Sequence, residues 1–91
     1  MKSYVYILKD KNGRFYVGST SDLDRRMKQH LNGRTQTTAR MVGLKLVLIQ
    51  KYETLAQARK VELRIKRLKR KDYIERMVLE KEINMHPSFN G

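Results

Sequence analysis

Residues 3–19 read SYVYILK, DKNGR and FYVGS in succession. The first seven alternate strictly and are rich in Tyr, Val and Ile, the pattern of a β-strand; FYVGS predicts a second strand. Asp10-Lys11-Asn12-Gly13-Arg14 between them is a hairpin signal, and two loops compete. A two-residue Asn12-Gly13 turn would pair Lys11 with Arg14 and Leu8 with Val17. A three-residue loop, with Gly13 left-handed in a bulge, would pair Asp10 with Arg14 and Leu8 with Tyr16. Directly paired residues share a face. The longer loop sorts Tyr4, Tyr6, Leu8 and Tyr16 onto one face and Val5, Ile7, Phe15 and Val17 onto the other; the shorter loop mixes the sets. A one-residue slip would flip every side chain, so the sorting predicts the three-residue loop. It also sets Tyr6 opposite Gly18, which predicts open space beside the Tyr6 ring.

Downstream, Ser21 is placed to cap a helix over about Asp22–Asn32, with Asp22 and Asp24 at its positive end and Gly33 as its stop. Residues 33–43 are polar and predict a loop. Residues 44–52, LKLVLIQKY, predict a third strand, nearly continuous in apolar character and therefore buried on both faces. Thr54-Leu55-Ala56-Gln57 matches a capping box. The helix it opens should reach about Leu68–Arg70, with Leu55, Ala58, Val61, Ile65 and Leu68 at helical spacing. A third helix is expected from about Asp72 to Glu82. The expected fold is one α/β domain over residues 1–83, a small, mostly antiparallel three-stranded sheet flanked by helices. Residues 84–91 form an irregular tail.

The chain has 91 residues and no cysteine, which excludes a disulfide scaffold, zinc fingers and thiol nucleophiles. No stretch is apolar enough to span a membrane, and Met1–Ile7 is too short and polar for a signal peptide, so a cytoplasmic location is expected. Twenty-one Lys+Arg against nine Asp+Glu give a net charge of +12, a field that attracts polyanions, nucleic acid ahead of membranes. The charge is polarised. Residues 55–71 hold eight basic residues and a single acid, Glu62, whereas residues 72–91 hold four acids and two bases. Such a basic helix reads as a phosphate-facing surface.

Val5-Tyr6-Ile7 and Tyr16-Val17-Gly18 are followed by Asp22-Leu23-Asp24-Arg25-Arg26-Met27-Lys28-Gln29-His30, and later by Ala58-x-x-x-Glu62-x-x-Ile65-Lys66. This succession resembles the GIY-YIG nuclease superfamily. It looks most like the small bacterial members related to the structure-specific resolving nucleases of DNA repair and recombination. The resemblance covers residues 4–70 and departs from the pattern at the first glycine, where Val5 stands. It implies a catalytic pair in Tyr6 and Tyr16, a catalytic arginine in Arg26 and a metal ligand in Glu62. Asn84 or Asn90 would stand for the family's late asparagine. His30 lies four residues after Arg26, on the same helix face. It either joins the site or covers the helix end. Gly18 is structural, giving Tyr6 room.

These residue types suit phosphodiester hydrolysis. Tyrosine, with an ordinary pKa near 10, needs cations to act as a base at neutral pH. Arginine clamps phosphate oxygens. One carboxylate suffices for Mg²⁺, which keeps several waters and takes further ligands from phosphate. The implied activity is Mg²⁺- or Mn²⁺-dependent endonucleolytic cleavage of DNA (single-stranded, branched or duplex), directed by structure rather than sequence unless a protein partner supplies specificity. Tyr6 is the first choice for general base; Tyr16 positions water or phosphate, or exchanges roles with it. Arg34, Arg40, Lys45, Lys66, Arg67 and Arg70 would track the nucleic-acid backbone. The alternatives are a non-catalytic basic nucleic-acid-binding module and a structural protein of nucleoprotein particles.

Overall fold

The hairpin takes the three-residue loop. In the computed structural model, which describes residues 2–31, 43–68 and 70–83, Leu8 pairs with Tyr16, Tyr6 with Gly18 and Lys9 with Phe15. The strands are β1 (Ser3–Lys9) and β2 (Phe15–Thr20). Gly13 has φ +81°, and its N–H donates to the Asp10 carbonyl at 3.1 Å. The buried Asp10 carboxylate organises the turn from inside. It accepts from the backbone N–H of Asn12 (2.9 Å) and of Arg14 (2.7 Å), and from Arg14 Nε (2.7 Å). Burial alone would push this carboxyl up; the Arg14 and Asn12 hydrogen bonds and the Arg14 charge outweigh it and hold it below its ordinary value.

Among the described residues a Cβ on Gly13 would meet only Lys71 Nζ, at 3.6 Å, so substitution there is costly through the backbone rather than through a clash. Gly13→Val forces a β-branched residue into the left-handed region. It is expected to cost about 1–2 kcal/mol. A lowered urea midpoint checks this; an unchanged midpoint would mean the turn does not need positive φ.

The remaining elements are α1 (Leu23–Leu31), β3 (Lys45–Tyr52), α2 (Leu55–Leu68) and α3 (Lys71–Glu80). The sheet is antiparallel throughout, in the order β2-β1-β3. β1 is therefore the central strand, and Val5, Tyr6, Ile7 and Leu8 are all fully buried. The expectation that β3 is buried on both faces is corrected. β3 is an edge strand whose Leu46 and Ile49 are each about two-fifths exposed (40% and 41%). Its apolar run reflects a bulge between the partners of Ile7 and Leu8, where Ile7 faces Leu48 and Leu8 faces Leu46. The extra residue, Val47, packs with Leu48 against the core.

Two faces carry two different sets of residues. Val5, Ile7 and Val17 pack with Ala58, Val61 and Ile65 of α2, and with Met77 and Ile83. Each of the Val, Ile and Met side chains, fully buried, contributes about 1.5–3 kcal/mol. Gln50 locks the far end of this layer: its Oε1 accepts from Ile83 N at 2.8 Å and its Nε2 donates to Ile83 O at 3.2 Å. Tyr6 faces the opposite way, toward α1.

The helix signals were nearly right. Asp22, not Ser21, caps α1: Asp22 Oδ1 accepts from Arg25 N at 3.2 Å, and Thr20 Oγ1 accepts from Asp22 N at 3.0 Å. The strand simply runs one residue further than expected, to Thr20, and moves the cap along. At α2, Thr54 Oγ1 accepts from Gln57 N at 3.2 Å, while Gln57 Oε1 accepts from Glu53 N at 3.1 Å, one residue before the usual capping-box position. α3 ends two residues early, with Lys81 left-handed at φ 54°. No helix among the described residues is long and apolar enough to cross a membrane. The expected loop over residues 33–43, apart from Gly43, and the expected tail over 84–91 lie outside the described residues.

Candidate active site

Tyr6 projects from the middle of β1 and is fully buried. The room beside it is not open, as the sequence suggested; the Tyr6 ring itself lies across Gly18 and fills it. Only a residue without a side chain allows that position. The phenol oxygen meets α1 on two sides. Arg26 Nε donates to it at 3.3 Å, and it lies 2.7 Å from His30 Nε2. Arginine can only donate, so the phenol oxygen accepts from Arg26; with His30 in the tautomer that leaves Nε2 unprotonated, the phenol proton is donated to Nε2. Arg26 is held in turn by Gln29, whose Oε1 accepts from Nη1 at 3.1 Å.

Tyr16 completes the cluster. Its ring centroid is 6.3 Å from that of Tyr6 and 5.0 Å from that of His30, and the Tyr6 and His30 rings meet edge-on at 5.5 Å. The register therefore brings Tyr6, Tyr16, Arg26 and His30 together. Tyr16 is only half-buried, so the cluster opens to solvent on its side.

Burial dominates the electrostatics. Desolvation, with lesser contributions from Tyr16 and Glu62, pushes the Tyr6 phenol up to about 12, against the hydrogen bond and charge of Arg26. Desolvation and then the Arg26 charge hold His30 below its usual 6.5. His30 is therefore neutral at pH 7 and can accept a proton. The sign of the stability effect follows. As pH falls below about 6.5, the unfolded chain binds a proton at this histidine before the folded one does, so stability falls. The drop in urea midpoint from pH 7 to 5.5 is expected to shrink in His30→Gln; an equal drop would assign it to other groups.

Glu62 comes from the other layer. Ser19 pairs with Val5 and shares its face, and the Ser19 hydroxyl donates to Glu62 Oε1. Lys66 Nζ donates to Glu62 Oε2 at 2.6 Å and also lies 5.8 Å from the centre of the Tyr16 ring, on the opposite face. Lys66 thus reaches both faces at β2, an edge strand, and Glu62 meets the tyrosine cluster around that edge rather than from within it. Among the described residues no group of three His, Cys, Asp or Glu side chains gathers to hold a metal. The donor set is one carboxylate with a hydroxyl beside it. This does not suit a closed cage, but it does fit Mg²⁺ or Mn²⁺ completed by water and phosphate.

The other expected residues are dispersed. Lys66 and Arg70 border a cleft beside Tyr16. Arg70 is also bound to Asp72 (Nη2 to Oδ2, 2.9 Å) and stacked on Tyr73, 4.5 Å from the ring centre. Arg67 is exposed on α2. Lys45 is not brought to the cluster; it sits opposite Lys9 on β3, the other edge of the sheet. Arg34, Arg40, Asn84 and Asn90 lie outside the described residues.

Sequence reasoning missed Ser19 and Gln29. Ser19 had a signal, because it is the polar member of the core-facing series Phe15, Val17, Ser19. Gln29 had a weaker one, standing three residues after Arg26 on the same helix face.

Comparison with known proteins identifies the family and agrees with the fold. A UPF0213 protein of Halalkalibacterium halodurans is 38% identical over 72 residues, covering 78% of this chain and 77% of its own length. One of Clostridium perfringens is 36% identical, covering 91% of this chain and 99% of its own. The solution NMR structure of a UPF0213 protein from Bacillus halodurans matches with a TM-score of 0.56 and 34% identity over 89% of this chain and 87% of that one. Residues 2–76 match the GIY-YIG catalytic domain, the domain of a nuclease family that generally uses divalent metals. The chain belongs to the GIY-YIG family.

Proposed function

We propose that the protein is a Mg²⁺- or Mn²⁺-dependent endonuclease that hydrolyses DNA phosphodiester bonds and selects them by nucleic-acid structure rather than sequence. The observation that supports this most is the hydrogen-bonded cluster of Tyr6, His30 and Arg26 beside Tyr16, with the Glu62 carboxylate at the adjoining sheet edge. In this reading the scissile phosphate sits on the half-exposed Tyr16 side. Arg26 stabilises the negative charge that grows on the phosphate oxygens. Tyr6 is the general base. Its high pKa means that it enters the reaction protonated, so it must pass its own proton to neutral His30 as it takes one from water. Tyr16 positions the phosphate. Glu62 would hold the divalent cation, which when bound supplies charge neutralisation at the phosphate and the leaving oxygen.

One observation favours the rival reading of a non-catalytic binding module. Both Glu62 oxygens already have partners, in Ser19 and Lys66. A divalent cation there would compete with the Lys66 ammonium for the same carboxylate. A panel of flap, fork, junction, single-stranded and duplex DNA, each with Mg²⁺ and with Mn²⁺, separates the two. Cleavage that EDTA abolishes, with binding retained, is the expected result. Binding without cleavage under either metal would make the module the better reading.

A further inference from the structure

The free edge of β2 leads into a cleft of about 630 Å³ between the hairpin, α2 and α3. That volume falls within the usual range of ligand sites, about 300–1,000 Å³. Its floor is apolar, made by Phe15, Val17, Ile65 and Ile74. Its rim is cationic: Arg14 comes from the hairpin, Lys66 from α2, and Arg70 and Lys71 from the turn into α3. No carboxylate lines it among the described residues. Tyr16 lines this cleft and also belongs to the cluster with Tyr6 and His30.

We infer that the cleft binds one unstacked nucleotide next to the scissile phosphate, with its base on the apolar floor and its flanking phosphates on the cationic rim. An apolar floor under a ring of cations suits a flat apolar group carrying anions, and a nucleotide is that. Tyr16 makes the site continuous with the proposed catalytic cluster, so a strand held at one runs into the other. A base inside a duplex has both faces stacked and cannot reach the floor; an unpaired or extruded base can. The inference rests on the nuclease reading for the position of the cut, and it narrows the substrate to strands with an unpaired nucleotide at that position.

Charge alone would favour duplex DNA, whose phosphates are denser. A preference for single strands is therefore diagnostic. Binding is measured in EDTA, so that nothing is cut, on a single strand and on its duplex. The intact protein is expected to bind the single strand about tenfold more tightly. Walking one abasic position along the strand should reveal a single position whose loss weakens binding about tenfold. Lys71→Glu, at the first residue of α3 where an acid favours the helix, should erase the preference without unfolding. Ile74→Phe, which fills the floor, should do the same with the rim intact.

Equal or tighter duplex binding, or an abasic walk with no weak position, would overturn the cleft assignment. Parallel incubations of the intact protein with Mg²⁺ and Mn²⁺ test the nuclease reading separately. Strands cut without any base preference would leave the nuclease and remove the cleft. A base preference without cutting would do the reverse.

Discussion

Replacing Glu62 by Gln is expected to abolish cleavage while leaving DNA binding equal or tighter. The exchange is nearly isosteric, and the Gln carbonyl can still accept from the Ser19 hydroxyl. What is lost is the negative charge that a divalent cation needs and that Lys66 now holds at 2.6 Å. The Glu62–Lys66 pair is only partly shielded from solvent, so its loss costs the fold no more than about 0.5 kcal/mol. The loss of cation binding is much larger. Metal stabilisation of the transition state amounts to several kcal/mol, or about a hundredfold or more in rate. Binding moves the other way because a charge of −1 disappears from a basic helix and releases Lys66 toward phosphate. Strand cleavage with Mn²⁺, beside dissociation constants in EDTA, separates the two effects. Full activity of the Gln variant would remove Glu62 from the mechanism.

The sequence was informative wherever a residue had to choose a side. The sorting of Tyr4, Tyr6, Leu8 and Tyr16 against Val5, Ile7, Phe15 and Val17 identified the register, because a slip costs every pair at once. The same logic failed for β3. Its run of Leu and Val suggested burial on two faces, but a bulge had placed two consecutive residues on one face, and nothing local to the run announces a bulge. The cap of α1 went to Asp22 because Thr20 stayed in the strand, a competition between adjacent hydroxyl and carboxylate groups that differ little in capping strength. Ser19 escaped notice for a different reason. Its importance lies in Glu62, 43 positions away in sequence, and only the packing of α2 on β2 brings them together.

Gly18→Ala is expected to be as damaging as Glu62→Gln, although Gly18 offers no chemical group. A Cβ at this position would stand 2.5 Å from Tyr6 Cζ and nearer still to the hydroxyl oxygen. Real side chains do not approach so closely, and Tyr6 has nowhere to go. Its ring is fully buried, and Arg26 and His30 grip its hydroxyl from α1. Overpacking of this kind costs about 1–3 kcal/mol. Moving the phenol by about an ångström would slow cleavage by about a hundredfold. A general weakening of the sheet could mimic the stability loss, so the test is a double-mutant cycle. If the clash is the cause, Gly18→Ala should cost far less stability in a Tyr6→Leu background than alone, a coupling of about 1–3 kcal/mol. Additive losses would mean that the glycine serves the strand rather than the tyrosine. In that case the close fit of Tyr6 over β2 would no longer explain why the cluster needs Gly18.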